Sequence, residues 1–157
     1  MFLIRFFDIV LSFIFMTLFS PVYLIISLVL YFDNSGPIFY FQKRVTKDQQ
    51  LFKFIKFRSM KNSSNSNSGD HENYLTLDLE ELKMIRNNYK TTKTNDSRIT
   101  DFGKILRKTS LDEIPQFYSV LIGDMSLVGP RPDPPIQRAD YDSDIWIKRC
   151  KVKSGIT

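Results

Sequence analysis

The chain has 157 residues, of which 43% are hydrophobic and 14% aromatic, so its length fits one ordinary domain and its apolar content suffices for a packed core. Its one cysteine, Cys150, and its one histidine, His71, exclude an internal disulfide and a zinc site built from several Cys and His ligands. The formal net charge of +5 lies after an apolar start, because only Arg5 of the 22 basic residues precedes Lys43. This later part favours anionic partners.

The first predicted element is a membrane segment, since no residue from Ile9 to Phe32 is charged. A helix of that length rises about 36 Å at roughly 1.5 Å per residue, which exceeds a bilayer core of about 30 Å. A cleaved signal peptide is disfavoured, because the apolar stretch is longer than an ordinary signal core and no small-x-small cleavage motif follows it.

Ser20 and Pro21 lie in the middle of this segment, where a proline removes one helical hydrogen bond and clashes with the preceding turn. We expect a break there. A break is compatible with a kinked spanning helix and with a re-entrant helix that leaves by the side it entered. The basic flanks, Arg5 before the segment and Lys43 after it, mildly favour the re-entrant path, because both then stay on the cytoplasmic side.

The next stretch, residues 38–60, reads IFYFQKRVTKDQQLFKFIKFRSM and predicts two short strands or a hairpin, because apolar and polar positions alternate in LFKFIKF. Seven basic residues lie from Lys43 to Lys61 against one acid, Asp48. They could form a solvated strand face, a patch on anionic lipid headgroups or a phosphate site. Their position just after a membrane segment favours lipid. A nucleic-acid partner is not expected, because this alternation matches no known binding module.

Three further elements follow in the chain. Residues 61–74 are rich in Ser and Asn and predict a mobile loop. Residues 75–89 predict a surface helix with acids early and bases late. Asp101 is expected to cap a short helix whose apolar face carries Phe102, Ile105 and Leu106.

The motif SLDEIP, residues 110–115, places two adjacent acids at a predicted helix start. If Ser110 is the N-cap, Glu113 completes a capping box; if Asp112 is the N-cap, Pro115 falls at the third helical position, where its missing N–H costs little. We prefer the second arrangement. Both put the acids in a helix's first turn, where acids are common because they complement the helix dipole.

The surroundings of the acids also suit phosphoryl transfer. Arg107 and Lys108 lie one turn upstream, and Arg131 stands between two prolines in a stiff extended segment. A helix N-terminus and arginines bind phosphate. One carboxylate can attack phosphorus while its neighbour holds Mg²⁺, a hard ion that prefers oxygen ligands.

Several motifs together carry a resemblance to a known family. They are the Arg5 and Asp8 start with the Ser20-Pro21 break, GPIFYFQKRV, FIKFRSM, NDSRITDFGKILRKTSLDEIPQ and GDMSLVGPRP. On these residues the chain resembles the bacterial polyprenyl-phosphate sugar transferases, the monotopic phosphoglycosyl transferases that start glycan assembly on a lipid carrier. The resemblance covers nearly the whole chain.

The resemblance implies a mostly helical α+β fold. Residues 1–32 are then a re-entrant membrane helix, and residues 33–157 a small cytoplasmic catalytic domain with a short β-hairpin and interfacial helices, at the cytoplasmic face of a bacterial inner membrane. The implied reaction moves a phosphosugar from a UDP-sugar to undecaprenyl phosphate and releases UMP, as the first step of membrane glycoconjugate or polysaccharide assembly.

The resemblance also implies the roles of individual residues. Asp112 becomes a covalent phosphosugar intermediate, and Glu113 helps to hold Mg²⁺. Four cations are assigned to phosphate or headgroup binding: Lys56, Arg58, Arg107 and Arg131.

The chain departs from the family pattern at two places. Relatives often carry glycines where this chain has Thr46 and Gln49, which we expect to alter only a hairpin turn. Relatives also continue for several tens of residues after GIT, with a Gly-, Gln- and Arg-rich motif, so we expect a C-terminal tail to be missing. The alternative to an enzyme is an inactive membrane-anchored fragment that binds lipid or a partner through residues 43–61.

Overall fold

The computed structural model describes residues 2–33, 36–61, 72–88 and 96–156, and most of the loop predicted at residues 61–74 lies outside them. The described residues form helices α1 (Phe2–Leu18), α2 (Ser20–Phe32), α3 (Leu79–Asn88), α4 (Asp101–Lys108), α5 (Gln116–Ile122) and α6 (Ser143–Arg149), strands β1 (Phe39–Val45) and β2 (Leu51–Phe57), and short 3-10 turns. The chain is thus mostly helical with a two-stranded antiparallel sheet, as the α+β prediction has it.

Helices α1 and α2 make up the predicted membrane segment. They are separated at Phe19, directly before Ser20 and Pro21, and their axes differ by 59°. The Ser20 hydroxyl donates to the carbonyl of Thr17 at 2.8 Å across the break. Among the described residues no single helix is long and apolar enough to cross a membrane, whereas α1 and α2 taken together reach that length and composition.

Polar contacts fix α1 to α5 and to the loop that follows α5. Arg5 donates to the carbonyl oxygens of Val120 and Leu121 at 2.6 and 2.7 Å, which satisfies carbonyls left open at a helix end. Buried Asp8 accepts hydrogen bonds from the Ser126 hydroxyl and from the backbone N–H of Leu127. The apolar helix pair is therefore attached to the rest of the fold by charged groups as well as by packing.

Strands β1 and β2 form the predicted hairpin, with Phe39 opposite Phe57 and Val45 opposite Leu51. Its turn contains Asp48 and Gln49 at φ of 55° and 58°, a left-handed conformation that favours glycine. A glycine at position 49 would suit this backbone better, but the Gln49 side chain accepts a hydrogen bond from Trp146 at 3.1 Å. The departure from the family pattern therefore adds a tertiary contact to the turn.

The hydrophobic core consists of three clusters around the hairpin. The first joins Ile26 and Leu30 of α2 to Phe57 and Leu106; the second joins Phe52 and Phe54 to Val120 and Met125; the third joins Val45 to Trp146 and Cys150. Because each cluster includes a residue of the hairpin, the two strands are the common support for α2, α4, α5 and α6. Leu106 belongs to the apolar face predicted for α4.

Helix α4 begins differently from the prediction. Thr100, not Asp101, is the N-cap, and its hydroxyl accepts from the backbone N–H of Gly103 at 2.9 Å. Asp101 is the first helical residue and forms an exposed pair with Lys104. Gly103 meets the backbone of Ser59 so closely that a Cβ would lie 2.0 Å from its carbonyl oxygen. This contact sets how near α4 lies to the end of β2.

Both capping schemes for SLDEIP are wrong. Leu111–Glu113 forms a separate 3-10 turn after Ser110, whose φ of 57° is left-handed, and no side chain caps that turn. Helix α5 begins only at Gln116, with Pro115 at its N-cap. The left-handed residue reverses the chain ahead of the acids, so they lie on a tight turn rather than in the first turn of a longer helix.

Candidate active site

The acids Asp112 and Glu113 lie on the 3-10 turn between α4 and α5. Backbone hydrogen bonds from Glu113 to Ser110 and from Ile114 to Leu111 close the turn. The hydroxyl of Tyr23, from α2, donates to the carbonyl of Ile114 at 2.5 Å. The Asp112 side chain is turned inward, since the residue is only 5% exposed. The acid pair is thus held from its own turn and from the apolar helix pair.

Lys56 faces Asp112 from strand β2. Burial raises the pKa of the Asp112 carboxyl, and the positive charge of Lys56 acts most strongly against that rise. Conversely, burial lowers the pKa of Lys56, and Asp112 is the charge that most opposes this fall. The Lys56 ammonium also lies 5.6 Å from the centre of the Tyr40 ring. The two groups therefore form an electrostatic pair in a partly desolvated site.

Arg107, at the end of α4, supplies a second cation near Asp112. Its charge lowers the pKa of Asp112 and that of Lys56. Its Nη1 atom is buried and has no hydrogen-bond partner among the described residues. Since buried polar groups are normally hydrogen-bonded, this nitrogen is available to donate to an anionic oxygen.

Glu113 pairs with Arg131, the residue between Pro130 and Pro132. The Arg131 side chain is 62% exposed, whereas Glu113 is 22% exposed. The predicted cations Lys56, Arg107 and Arg131 thus come together around the two acids from β2, α4 and the proline-rich segment. An anion that approaches the acids meets positive charge on more than one side.

Arg44 of β1 joins this group, although the sequence did not single it out from the basic patch. Burial lowers its pKa and Arg131 lowers it further, while Asp133, Tyr40 and Glu113 raise it. Its guanidinium lies 4.8 Å from the centre of the Phe54 ring. Strand alternation is the signal that could have found it. Arg44, Gln42 and Tyr40 alternate along β1 and therefore share a face, and Tyr40 lies opposite Lys56 in the register.

Arg58 is not brought to the acids. It is 3% exposed, and its guanidinium donates to the carbonyls of Leu30 and Pro37 at 2.8 and 3.0 Å and pairs with Asp33. Strand β2 ends at Phe57, so the alternation that aims Lys56 at the site does not extend to Arg58. These contacts place Arg58 at the end of α2, where it closes that helix against the hairpin.

The acid pair suits a magnesium ion by the chemistry of its donors. Asp112 and Glu113 offer carboxylate oxygens, and no group of three or more His, Cys, Asp or Glu side chains gathers within the part of the chain that the structure describes. Mg²⁺ commonly binds through one or two carboxylates together with substrate phosphates and water. Two adjacent acids beside the cations Lys56, Arg107 and Arg131 fit that mode.

The family model described as Bacterial sugar transferase matches residues 1–157. The chain belongs to this family. The predicted resemblance is therefore confirmed, and the acids and cations described above lie within the matched region.

The chain is similar in sequence to several curated proteins, of which three illustrate the range. The chain is 40% identical over 152 residues to the UDP-glucose:undecaprenyl-phosphate glucose-1-phosphate transferase of Klebsiella pneumoniae, covering 96% of this chain and 28% of that protein. It is 35% identical over 152 residues to the UDP-N-acetylgalactosamine-undecaprenyl-phosphate N-acetylgalactosaminephosphotransferase of Aeromonas hydrophila, covering 96% and 31%. It is 36% identical over 141 residues to the exopolysaccharide production protein ExoY of Rhizobium meliloti, covering 88% and 59%. The chain thus spans about a third or less of the first two proteins.

Proposed function

We propose that this chain catalyses the transfer of a sugar phosphate from a UDP-sugar to undecaprenyl phosphate, with release of UMP, as an opening step of polysaccharide assembly. The observation that carries the proposal is the burial of Asp112 in front of Lys56 and Arg107, beside a Glu113 that pairs with Arg131. The names of the Klebsiella and Aeromonas relatives supply the classes of donor and acceptor.

In the first step, an oxygen of the Asp112 carboxylate attacks the β-phosphorus of the UDP-sugar. The bond from that phosphorus to the oxygen bridging to the α-phosphate breaks, UMP leaves with the bonding electrons, and the sugar phosphate stays on Asp112. Attack requires an ionised carboxylate. Lys56 and Arg107 favour that form against the effect of burial, and the same cations attract the anionic donor.

In the second step, a phosphate oxygen of undecaprenyl phosphate attacks the same phosphorus. The bond between that phosphorus and the Asp112 oxygen breaks, which yields the undecaprenyl diphosphate sugar and regenerates the carboxylate. We assign two groups to hold the phosphates during both steps: the Nη1 of Arg107, which has no partner among the described residues, and the exposed guanidinium of Arg131.

Glu113, with Asp112 beside it, is the residue that would hold Mg²⁺. A bound Mg²⁺ supplies positive charge that offsets the charge of the diphosphate and of the departing UMP. Arg131 already pairs with Glu113, so the same side chain can turn toward a phosphate that shares the site.

We place this reaction at the cytoplasmic face of a bacterial inner membrane, with α1 and α2 as a re-entrant pair. The hydrogen bond from Tyr23 of α2 to Ile114 supports this placement, because it sets the apolar pair directly against the turn that carries the acids. A lipid phosphate at the headgroup level could then reach Asp112 while its chain stays in the bilayer.

The proposal is tested by UMP release from detergent-solubilised protein with Mg²⁺, undecaprenyl phosphate and either UDP-glucose or UDP-N-acetylgalactosamine. We expect release with at least one donor, and intact-mass detection of a phosphosugar on the wild-type chain when the acceptor is omitted. Asp112→Asn should abolish both signals. Asp101→Asn is the matched control, because Asp101 is an exposed aspartate on neighbouring α4, and it should retain both.

Two results would contradict the proposal. Unchanged turnover in Asp112→Asn would remove Asp112 from the chemistry. Membrane binding without turnover by the wild-type chain, for both donors, would support the alternative of an inactive anchored protein.

A further inference from the structure

The segment from Pro130 to Asp133, which carries Arg131, has every one of its four carbonyl oxygens hydrogen-bonded. The two outer carbonyls accept from backbone N–H groups: Pro130 from Gly155 and Asp133 from Val45, each at 2.9 Å. The two inner carbonyls accept from arginine side chains. Arg149 Nη2 donates to the carbonyl of Arg131 at 2.7 Å, and Arg44 Nη1 donates to the carbonyl of Pro132 at 2.6 Å.

The prolines limit the backbone hydrogen bonds that this segment can make. Pro130 and Pro132 have no backbone N–H, so this segment cannot be held by the alternating donors and acceptors of a strand pair. Guanidinium groups reach the carbonyls from two separate elements, β1 and α6. Each bond has a charged donor, which makes it stronger than a bond between neutral groups.

Asp133 makes this gathering of arginines possible. Its carboxylate accepts from Arg149 Nε at 2.7 Å and from the Tyr141 hydroxyl at 3.1 Å. Arg149 also lies 5.3 Å from the centre of the Tyr141 ring. Asp133 also interacts with Arg44: its negative charge raises the pKa of Arg44, whereas the positive charge of Arg131 lowers it. One acid thus offsets the mutual repulsion of three cations around a single backbone segment.

We propose that Arg149 and Arg44 are positioning residues, which clamp the backbone at the carbonyls of Arg131 and Pro132 and thereby hold the Arg131 guanidinium at Glu113 for phosphate binding. The inference rests on the proposed transferase function. Arg149 is the better residue to test, because it contacts Asp133, Tyr141 and the carbonyl of Arg131, whereas the pKa of Arg44 responds directly to Glu113.

The first test is a double-mutant cycle on kcat/KM for UMP release. We expect Arg149→Gln to lower kcat/KM by about tenfold through misplacement of Arg131. Arg149→Lys keeps the positive charge but cannot donate to Asp133 and to the carbonyl of Arg131 from two fixed nitrogens. It should therefore recover less than half of the lost kcat/KM. In an Arg131→Gln background, Arg149→Gln should lower kcat/KM by less than about twofold, because the clamp then has no side chain to position. The control Lys148→Gln, an exposed residue of the same helix, should match wild type.

The second test needs no turnover. Arg131 and Asp133 are the residues between Pro130 and Pro134 that carry a backbone N–H, and their order parameters can be measured by ¹⁵N relaxation of the full chain in micelles. We expect the order parameters of both amides to be about 0.85 in wild type and Lys148→Gln, and to fall below about 0.6 in Arg149→Gln.

These tests separate failure of the inference from failure of the proposed function. If wild type releases no UMP, the proposed function fails, and with it the phosphate-binding purpose of the clamp. If wild type is active but the two amides stay equally ordered in Arg149→Gln, there is no clamp. If the amides loosen and Arg149→Gln costs as much activity with Arg131→Gln as without it, Arg149 does not act through Arg131.

Discussion

At the scale of single residues, Asp112 is a carboxyl group that must be charged for the proposed chemistry but lies in a buried site. Its side chain is buried, and that burial raises the pKa of its carboxyl above the ordinary value of 3.8 despite the nearby Lys56 and Arg107. A carboxylate there is less well solvated than in the unfolded chain. Holding a charged carboxylate in this place therefore opposes folding at neutral pH.

This leads to a prediction for Asp112→Asn. Because the pKa of Asp112 is raised in the folded protein, the folded state binds its proton more tightly, and stability falls as pH rises from the ordinary value through the folded pKa. Asparagine has no such dependence. We expect Asp112→Asn to have a higher Tm than wild type above the folded pKa, and this advantage to disappear below pH 3.8.

The measurement is thermal unfolding of both proteins in the same detergent across that pH range, with Asp101→Asn as the control for loss of an exposed aspartate. A lower Tm for Asp112→Asn at neutral pH, or an advantage that does not change with pH, would count against a desolvated carboxylate at position 112.

At the scale of elements, the site depends on contacts between α2 and the turn that carries the acids. Tyr23 donates to Ile114, and its ring packs on Phe57, with centroids 5.6 Å apart. Phe57 directly follows Lys56 in β2. One side chain of the apolar helix pair thus contacts the elements that bear Asp112 and Lys56.

The Tyr23→Phe variant removes only the hydroxyl that makes this bond. We expect a loss of about 1 kcal/mol in the free energy of unfolding, and a fall in kcat of about tenfold, because the acid turn loses a fixed contact. KM for the UDP-sugar should change little. Tyr31→Phe in the same helix is the matched control, since Tyr31 is 68% exposed.

Both quantities come from the same preparations, by chemical unfolding and by UMP release. If Tyr23→Phe and Tyr31→Phe show the same kcat, the hydroxyl of Tyr23 has no part in orienting the acids.

The elements also show what the sequence could predict. Alternation in LFKFIKF predicted the hairpin. In β2, Phe52 and Phe54 are buried on one face as alternation requires, whereas Phe57 is buried on the other face, in a different core cluster. The resemblance assigned Lys56 and Arg58 to the same role, and the end of β2 at Phe57 separates them in the structure. The start of the acid turn depends on the left-handed φ of Ser110, a conformation that serine seldom adopts and that no spacing rule indicates.

At the scale of the whole molecule, contacts distant in sequence decide the rest. Arg44, Arg149 and Asp133 meet only after β1, α6 and the proline-rich segment have folded together, so their local sequences do not indicate that they come together. The family motifs indicated Asp112, Glu113 and Arg131 more directly, because a resemblance assigns residues to one site without a prediction of the contacts that bring them together. Asp8 is similar: an acid in an apolar helix is explained only by Ser126 and Leu127.

The attachment of α1 to α5 by Arg5 gives a prediction at this largest scale. Arg5 donates to the carbonyls of Val120 and Leu121 at the end of α5, and the acid turn lies before the start of the same helix. Arg5→Gln should lower the free energy of unfolding by about 2 kcal/mol, because two charge-assisted hydrogen bonds are lost at a helix C-terminus. It should also lower kcat, because α5 connects this attachment to Asp112.

Thermal unfolding and UMP release of Arg5→Gln, compared with Lys151→Gln as an exposed control, measure both effects. The fall in kcat is the more specific of the two expected results. Gly123, at φ of 99° with Arg5 Nη2 3.2 Å from where its Cβ would be, offers an independent perturbation of the same attachment. Gly123→Ala strains that backbone and pushes on the guanidinium, so it should lower kcat in the same direction as Arg5→Gln. Loss of stability in both variants with kcat unchanged would mean that α1 anchors the protein without orienting its acids.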